Sequence, residues 1–467
     1  MDCCRPNRRR LIQLAGAVAL LPMMGAMHVG RARAAGVLAA RDLEVVTVTD
    51  TAAIVTWTTT SPDRLDAAGR PLPLPADTEL RIGPADSSAP PRVVLHDDTR
   101  TPFHYAEVHG LEPGRTYRFE AYSDGVAPSV NSVATARPGT PEATGTFTTL
   151  TPPPGKLVGT LALANDVHYG EEVSGLIVGQ VPPGFRQDPG APPYPQVMLD
   201  AVLDDLDRRG IGELLLAGDL TAEASPRDSR DVRARLDAWR GRYLACRGNH
   251  DRPHRGAEYA TCAPLPSGHF DCWGEQFVPR QQLRSTRVGQ LRILGIDTTE
   301  LDAAGGAIEP EQMAQIRDEL RADPDRPTVV FGHHPATVEA ATTNLAGPAF
   351  VLRHEHAHEL QALYARAPGV FLHHAGHTHR NRRTGPDHPG LAVEFLEVGA
   401  VKEYPGGYSV LRLYEGGYMV NFYKTRSEAS RAWSYRTRGE YLGFFPEYSY
   451  GTFADRNHVV RRDLSGL

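Results

Sequence analysis

A chain of 467 residues, 41% hydrophobic and 23% charged, is long enough for two or three domains with ordinary cores. Its formal net charge of −6 argues against a protein that holds nucleic acid or an anionic membrane through a basic surface. Positive charge beside a bound anion would then come from metal ions.

Residues 1–34 read as an export signal: Arg8-Arg9-Arg10-Leu11-Ile12, an apolar stretch from Leu11 to Met27, and Ala32-Arg33-Ala34 before Ala35. The twin arginine favours the Tat route, with the periplasm, the cell wall or the medium as destination. An uncleaved anchor is the alternative, but the stretch falls short of the roughly 20 apolar residues that span a bilayer, and Pro22 interrupts it. These 34 residues hold six arginines and one aspartate, so cleavage takes the charge from −6 to −11. Of the five cysteines, Cys3 and Cys4 leave with the signal. Outside the cytoplasm Cys262 and Cys272 are expected to form a short-loop disulfide, with three unpaired thiols as the alternative, and Cys246 to stay buried and free.

Residues 37–150 carry short strand signals. Val45-Val46-Thr47-Val48 and Ala53-Ile54-Val55-Thr56-Trp57-Thr58 are β-branched runs, and Tyr117 to Tyr122 alternates apolar with polar. Leu111-Glu112-Pro113-Gly114-Arg115-Thr116-Tyr117 resembles the tyrosine corner of a fibronectin type III sandwich, with Trp57 as its core tryptophan. An all-β sandwich is expected here, joined to the next domain by the stiff linker Thr151-Pro152-Pro153-Pro154.

From residue 155 the pattern changes. Five apolar runs each end in metal-ligand residue types: Leu157 to Leu163 before Asn165-Asp166-Val167-His168, and Leu214 to Ala217 before Gly218-Asp219. Tyr243 to Cys246 precedes Arg247-Gly248-Asn249-His250-Asp251. Thr328 to Phe331 precedes Gly332-His333-His334-Pro335, and Val370 to Leu372 precedes Gly376-His377-Thr378-His379. Leu199, Val202, Leu203 and Leu206, and again Met313, Ile316 and Leu320, have the spacing of helices buried on one face. A layered α/β domain of the αββα type is expected, since the carboxyl ends of neighbouring strands share one edge. The set is too large for one four-coordinate ion and suits two ions that share a carboxylate. Val181 to Pro195, rich in Pro and Gly, is expected as a long loop near the site mouth, or a surface loop without that role.

These five blocks match, in order, the motifs of calcineurin-like metallophosphoesterases, and the resemblance covers residues 155–425. It implies that Asp166, His168, Asp219 and His379 hold one ion and that Asp219, Asn249, His333 and His377 hold the other, with Asp219 as the bridge. It further implies hydrolysis of a small phosphate ester by a metal-bridging hydroxide. His250 would give the leaving group its proton, and Asp251 would accept from the other nitrogen of His250. The sandwich placed before such a domain also resembles the purple acid phosphatases. Their tyrosine three residues after the bridging aspartate is replaced here by Ala222, so two Mn, Fe or Zn ions are expected rather than a purple Fe(III) centre.

Phosphomonoesters are the expected substrates. Phosphodiesters, cyclic nucleotides among them, are the alternative, and a secreted binding protein that does no chemistry is a remote one. His334 is expected beside the ligands, His354, His356 and His358 on a solvated helix face, and Arg380 and Arg382 either exposed or on a phosphate. Residues 426–467 are expected as a C-terminal extension without a recognisable motif.

Overall fold

The computed structural model describes residues 37–66, 69–175 and 184–467. The export signal expected over residues 1–34 lies outside them, as do residues 181–183 of the loop expected at the site mouth.

The first eight strands form the sandwich. They are β1 (Ala39–Val48), β2 (Ala52–Leu65), β3 (Pro71–Pro73), β4 (Ala76–Pro84), β5 (Arg92–Thr101), β6 (Phe103–His109), β7 (Thr116–Tyr122) and β8 (Thr146–Thr148). One antiparallel sheet joins β1, β2, β3 and β6, and the other runs β5-β4-β7-β8. Val45, Val55, Trp57, Leu80, Ile82, Phe119 and Phe147 fill the space between them. The tyrosine corner is formed: the Glu112 N–H donates to Tyr117 Oη at 2.9 Å.

β1 and β2 are buried on both faces because the outer face of their sheet is also covered. Val46 and Ile54 join the core of the following domain. Thr47 Oγ1 donates to the Phe422 carbonyl (2.5 Å), Asn421 Nδ2 to the Val48 carbonyl (2.8 Å) and Asn457 Nδ2 to the Val46 carbonyl (3.0 Å). Buried Glu44 meets Lys424, Arg438 and Tyr404 across the same junction.

Twelve further strands build two mixed sheets. They are β9 (Leu157–Ala164), β10 (Glu213–Ala217), β11 (Arg242–Cys246), β12 (Arg284–Val288), β13 (Leu291–Gly295), β14 (Thr328–Phe331), β15 (Val370–Ala375), β16 (Arg382–Thr384), β17 (Glu394–Glu397), β18 (Gly407–Tyr414), β19 (Gly417–Lys424) and β20 (Asn457–Arg461). The first sheet runs β11-β10-β9-β18-β19-β20 and the second β12-β13-β14-β15-β17-β16. Side chains alternate across β14: Val329 and Phe331 join Leu161, Leu215 and Leu411 in the core between the sheets, while Val330 packs with Met313, Ile316 and Leu360 under the outer helices. Fully burying a side chain of this size is worth about 1.5–3 kcal/mol. The helices Tyr194–Arg209 and Pro310–Ala322 bury the faces their spacing predicts.

Residues 426–467, expected as an extension, are instead part of this layered structure. β20 pairs with β19, and the helix Glu428–Thr437 stacks Trp433 on Tyr194 with ring centroids 4.1 Å apart. Short helices and a five-residue edge strand leave too few periods for a sequence pattern to register. Cys262 and Cys272 are disulfide-bonded, and Cys246 is free and buried. No helix among the described residues is long and apolar enough to cross a membrane.

Candidate dinuclear metal centre

β9 runs into Asp166 and His168, β10 into Asp219, β11 into Asn249, β14 into His333, and β15 into His377 and His379. β9, β10 and β11 are parallel neighbours in one sheet, and β14 and β15 in the other. The residues expected as ligands therefore come from the carboxyl ends of two sheets. Asp166 (φ 55), His168 (φ 50), Asp219 (φ 52), His377 (φ 70) and His379 (φ 54) all have left-handed backbone, which costs on the order of 1–2 kcal/mol each. Backbone bonds between the strand ends hold them: Asp166 N donates to the Gly218 carbonyl (3.0 Å), His168 N to that of Asp219 (2.9 Å) and Gly376 N to that of His333 (3.0 Å). Gly218 permits the approach, since a Cβ there would lie 2.6 Å from His333 Nδ1.

Each carboxylate divides its work. Asp166 Oδ2 accepts from His377 N (3.0 Å), and Asp219 Oδ1 accepts from His250 N (2.8 Å). The other oxygens face imidazoles. Asp166 Oδ1 lies 3.2 Å from His379 Nε2 and 3.8 Å from His168 Nε2, and Asp219 Oδ2 lies 3.4 Å from His168 Nε2 and 3.1 Å from His333 Nε2. Asn249 Oδ1 and His377 Nδ1 are 3.0 and 2.9 Å from His333 Nε2.

Proton placement makes this cluster incomplete. His333 Nδ1 donates to the Ala217 carbonyl at 2.8 Å and His379 Nδ1 to Glu403 Oε1 at 2.7 Å. As neutral rings both would turn a bare Nε2 toward carboxylate or amide oxygens, so the cluster calls for positive charge, from a proton or from a cation. Asp166 Oδ1, both nitrogens of His168 and His377 Nε2 are buried without a hydrogen-bond partner, a loss of about 1–3 kcal/mol each when nothing fills the gap. Separations near 2.9–3.4 Å are about the edge of a coordination shell with bonds of about 2.0–2.1 Å.

The same need for positive charge sets the proton affinities. Burial depresses His333, but Asp219 and Asp166 together push it up to about 9. His379 is carried up to about 10 against burial by Asp166 and Glu403. Burial would raise Asp166 and Asp219, yet the imidazoles around them hold both well below the usual carboxylate range. Converging donors fall in four groups: Asp166, His168 and His379; His168, Asp219 and His250; Asp166, Asp219 and His333; and His333, His334 and His377. The residues present fit more than one cation, and Asp219 stands in two of the groups.

Residues 159–381 match the family model of calcineurin-like phosphoesterases. This segment is a calcineurin-like phosphoesterase domain. A probable cyclic nucleotide phosphodiesterase of Synechococcus is 26% identical over 223 residues, which is 46% of this chain and 78% of that protein. The structure of a purple acid phosphatase from Lupinus luteus seeds aligns with 83% of this chain and 72% of its own, at 16% identity and a TM-score of 0.40. A dimetal phosphatase from Danio rerio covers 58% of this chain and 98% of its own, at 14% identity and a TM-score of 0.43. The family match makes this domain a phosphoesterase, a hydrolase of phosphoric esters.

Within the phosphoesterase domain one expected contact is absent. Asp251 does not touch the His250 ring. It accepts from Leu220 N (2.9 Å), Thr221 N (2.8 Å), Thr221 Oγ1 (2.7 Å) and Gly248 N (3.1 Å), which ties the Asn249–Asp251 turn to the end of β10. The reason is direction: the 3-10 turn sends Asp251 into the core, where burial and Asp219 raise its carboxyl to about 6. His250 Nδ1 donates instead to the Ala222 carbonyl at 2.7 Å, so the residue that replaces the expected tyrosine orients the imidazole through its backbone. His250 remains half-buried, with its ring 4.5 Å from that of His168, and burial lowers its proton affinity against the pull of Asp219.

His334 lies beside the ligands as expected, its ring held by Thr298 Oγ1 (2.8 Å) and the Ala304 carbonyl (3.2 Å). His354 and His358 are exposed, and His356 accepts from Ile308 N. Arg380 is buried in a bidentate pair with Glu397 (2.8 and 3.0 Å) rather than exposed or turned to a phosphate, and Arg382 pairs with Glu339. The sequence reading missed Glu403, Lys402 and Glu171. Their signal is a charged pair, Lys402-Glu403, two residues beyond the apolar Val398-Gly399-Ala400 that continues β17 to the same edge.

Proposed function

We propose that this protein is an exported phosphatase that hydrolyses small phosphomonoesters with two divalent ions. The observation that carries the reading is the buried cluster in which Asp166, Asp219 and Asn249 turn oxygens toward Nε2 of His333 and His379. Asp166, His168 and His379 would hold one ion, Asn249, His333 and His377 the other, and Asp219 both. When bound, such ions neutralise the phosphoryl oxygens and lower the pKa of water to make a nucleophile near neutral pH. Mn(II), Fe(II) and Zn(II) suit these nitrogen and oxygen donors, and Ala222 provides no phenolate for Fe(III).

The chain's own residues supply the rest. His250, fixed by the Ala222 carbonyl at Nδ1 and by Asp219 Oδ1 at its backbone N–H, keeps Nε2 for the proton that the leaving oxygen receives. Asp251 keeps the turn that carries His250 and Asn249 in register with β10. The sandwich docked on the catalytic domain supports monoester hydrolysis, as in the purple acid phosphatase arrangement. Residues 1–34 support export, and the Cys262–Cys272 bridge supports an oxidising destination. The acidic charge makes nucleic acid a poor partner.

The relative named as a probable cyclic nucleotide phosphodiesterase favours a second reading, hydrolysis of phosphodiesters. Turnover of an aryl phosphomonoester and of the matching bis-aryl diester by purified protein with Mn(II) separates the two. Faster monoester turnover that Asn249→Ala abolishes supports the first reading, and dominant diester turnover supports the second. No metal-dependent turnover of either ester contradicts both and favours a binding role.

A further inference from the structure

The two candidate ion sites are backed differently. Among the histidines expected as ligands, His379 alone bonds a carboxylate through the ring nitrogen it turns away from the cluster. Its Nδ1 donates to Glu403 Oε1 at 2.7 Å, whereas His333 donates to a backbone carbonyl, and His168 finds no hydrogen bond at either nitrogen among the described residues. Glu403 is itself fixed. It is 1% exposed, and its Oε2 accepts from Ser174 Oγ at 2.7 Å. Lys402 Nζ stands 3.6 Å from Glu403 Oε2 and is paired with Glu171 at 2.7 Å. Lys402 N also donates to the Asp166 carbonyl at 3.1 Å, so this charged group is tied to the strand end that carries Asp166 and His168.

We infer that Glu403 is a positioning residue for His379, and that it acts on only one of the two ions. This rests on the dinuclear reading above. A carboxylate behind an imidazole does two separable things: it fixes the tautomer, here with the proton on Nδ1 and the lone pair on Nε2, and its charge makes that lone pair more basic. Asn249, His333 and His377 make no hydrogen bond or ion pair with Glu403, whose partners include His379, Ser174 and Lys402, so the second ion would lie outside its reach except through the shared Asp219. Glu403→Gln keeps an oxygen for the His379 N–H but removes the charge, while Glu403→Asp keeps the charge and withdraws it by one methylene. Ser174→Ala leaves Glu403 in place and removes one of its anchors.

The test uses the full chain, stripped with a chelator and titrated with Mn(II) by calorimetry, with the visible spectrum of the Co(II) form as a second readout. The expected result is two binding steps in the wild type. In Glu403→Gln one of them weakens by about 10–100-fold and the other moves by less than about threefold, with the apo melting curve kept. Glu403→Asp should weaken the same step, and Ser174→Ala should weaken it less. Asn249→Ala should remove the other step. Wild-type affinity for both ions in Glu403→Gln overturns the inference, as does equal weakening of both steps. Should Glu403→Gln not fold, an unchanged titration of Ser174→Ala and Glu403→Asp overturns it equally. A wild type that binds fewer than two ions contradicts the dinuclear reading itself, an outcome distinct from an unaltered variant.

Discussion

His104 and His168 are both buried imidazoles, one in each domain, and their surroundings differ in kind. In the sandwich His104 stacks on Trp57 with centroids 4.9 Å apart, and its ring nitrogens meet Thr59 Oγ1 (3.0 Å) and Thr78 Oγ1 (2.8 Å). Burial drives its proton affinity down to about 3, so it is a neutral, fully bonded core residue. His168 is as deeply placed, yet neither nitrogen has a hydrogen-bond partner, and two carboxylates stand 3.4 and 3.8 Å from Nε2. Burial and Lys402 pull it down, while Glu171, Asp166 and Asp219 push it up further. A satisfied buried histidine belongs to the fold, and an unsatisfied one beside carboxylates marks a place that a cation would fit. Substitutions in the two places should therefore separate stability from activity.

The largest effect is expected at Asp219. Asp219→Asn keeps the acceptor for His250 N but removes the shared charge, and should lower turnover by about a thousandfold or more, roughly 4 kcal/mol of barrier. Titrated with Mn(II), Asp219→Asn should bind fewer ions than the wild type or bind them more weakly. Wild-type binding of both ions in Asp219→Asn would erase the contrast.

His250→Ala should slow alkyl esters, whose leaving oxygen needs a proton, by about 10²–10⁴-fold, and activated aryl esters by at most about tenfold. Equal losses on both, read from kcat over a series of leaving groups, would remove the proton from the role assigned to His250.

The junction between the domains makes a third prediction. Burial would raise Glu44, but Lys424 and Arg438 hold its carboxyl down to about 2, against an ordinary value of 4.5. A depressed folded-state value means that the stabilisation is present above about pH 4.5 and is lost as the pH falls from there toward 2. Denaturant unfolding of the wild type minus that of Glu44→Gln should show this loss in that window, and a flat difference would contradict it. The smallest effect belongs to His104→Ala, which should cost about 1–3 kcal/mol of stability and leave kcat/KM within about twofold. A marked loss of turnover there would show that the sandwich takes part in catalysis.

The residues of the centre were legible because each closes an apolar run that a strand requires, so Asp166, Asp219, Asn249, His333 and His377 announce both their element and its end. The sandwich was legible for a related reason: Tyr117 and Trp57 sit at spacings that only a turn and an inward-facing strand satisfy. What stayed hidden depends on direction. Asp251 follows His250 in sequence, but a 3-10 turn sends the two side chains apart, and nothing in the residue order reveals that the Ala222 carbonyl takes the place of Asp251. Glu403 lies 24 positions beyond His379 and reaches it through the return of β17 and the chain after it, a contact that exists only in the fold. The edge strand β20 offers five residues with no companion pattern, so its pairing with β19 could not be foreseen.

The central claim, that the unsatisfied cluster is a site for two cations sharing Asp219, is tested most directly by anomalous diffraction from crystals of the Mn(II)-loaded full chain. The account predicts two anomalous peaks about 3.5–4 Å apart, both within bonding distance of Asp219, with Asp166 and His379 on one and Asn249 and His333 on the other. A single peak, or ions bound elsewhere while hydrogen bonds close among these side chains, would contradict it.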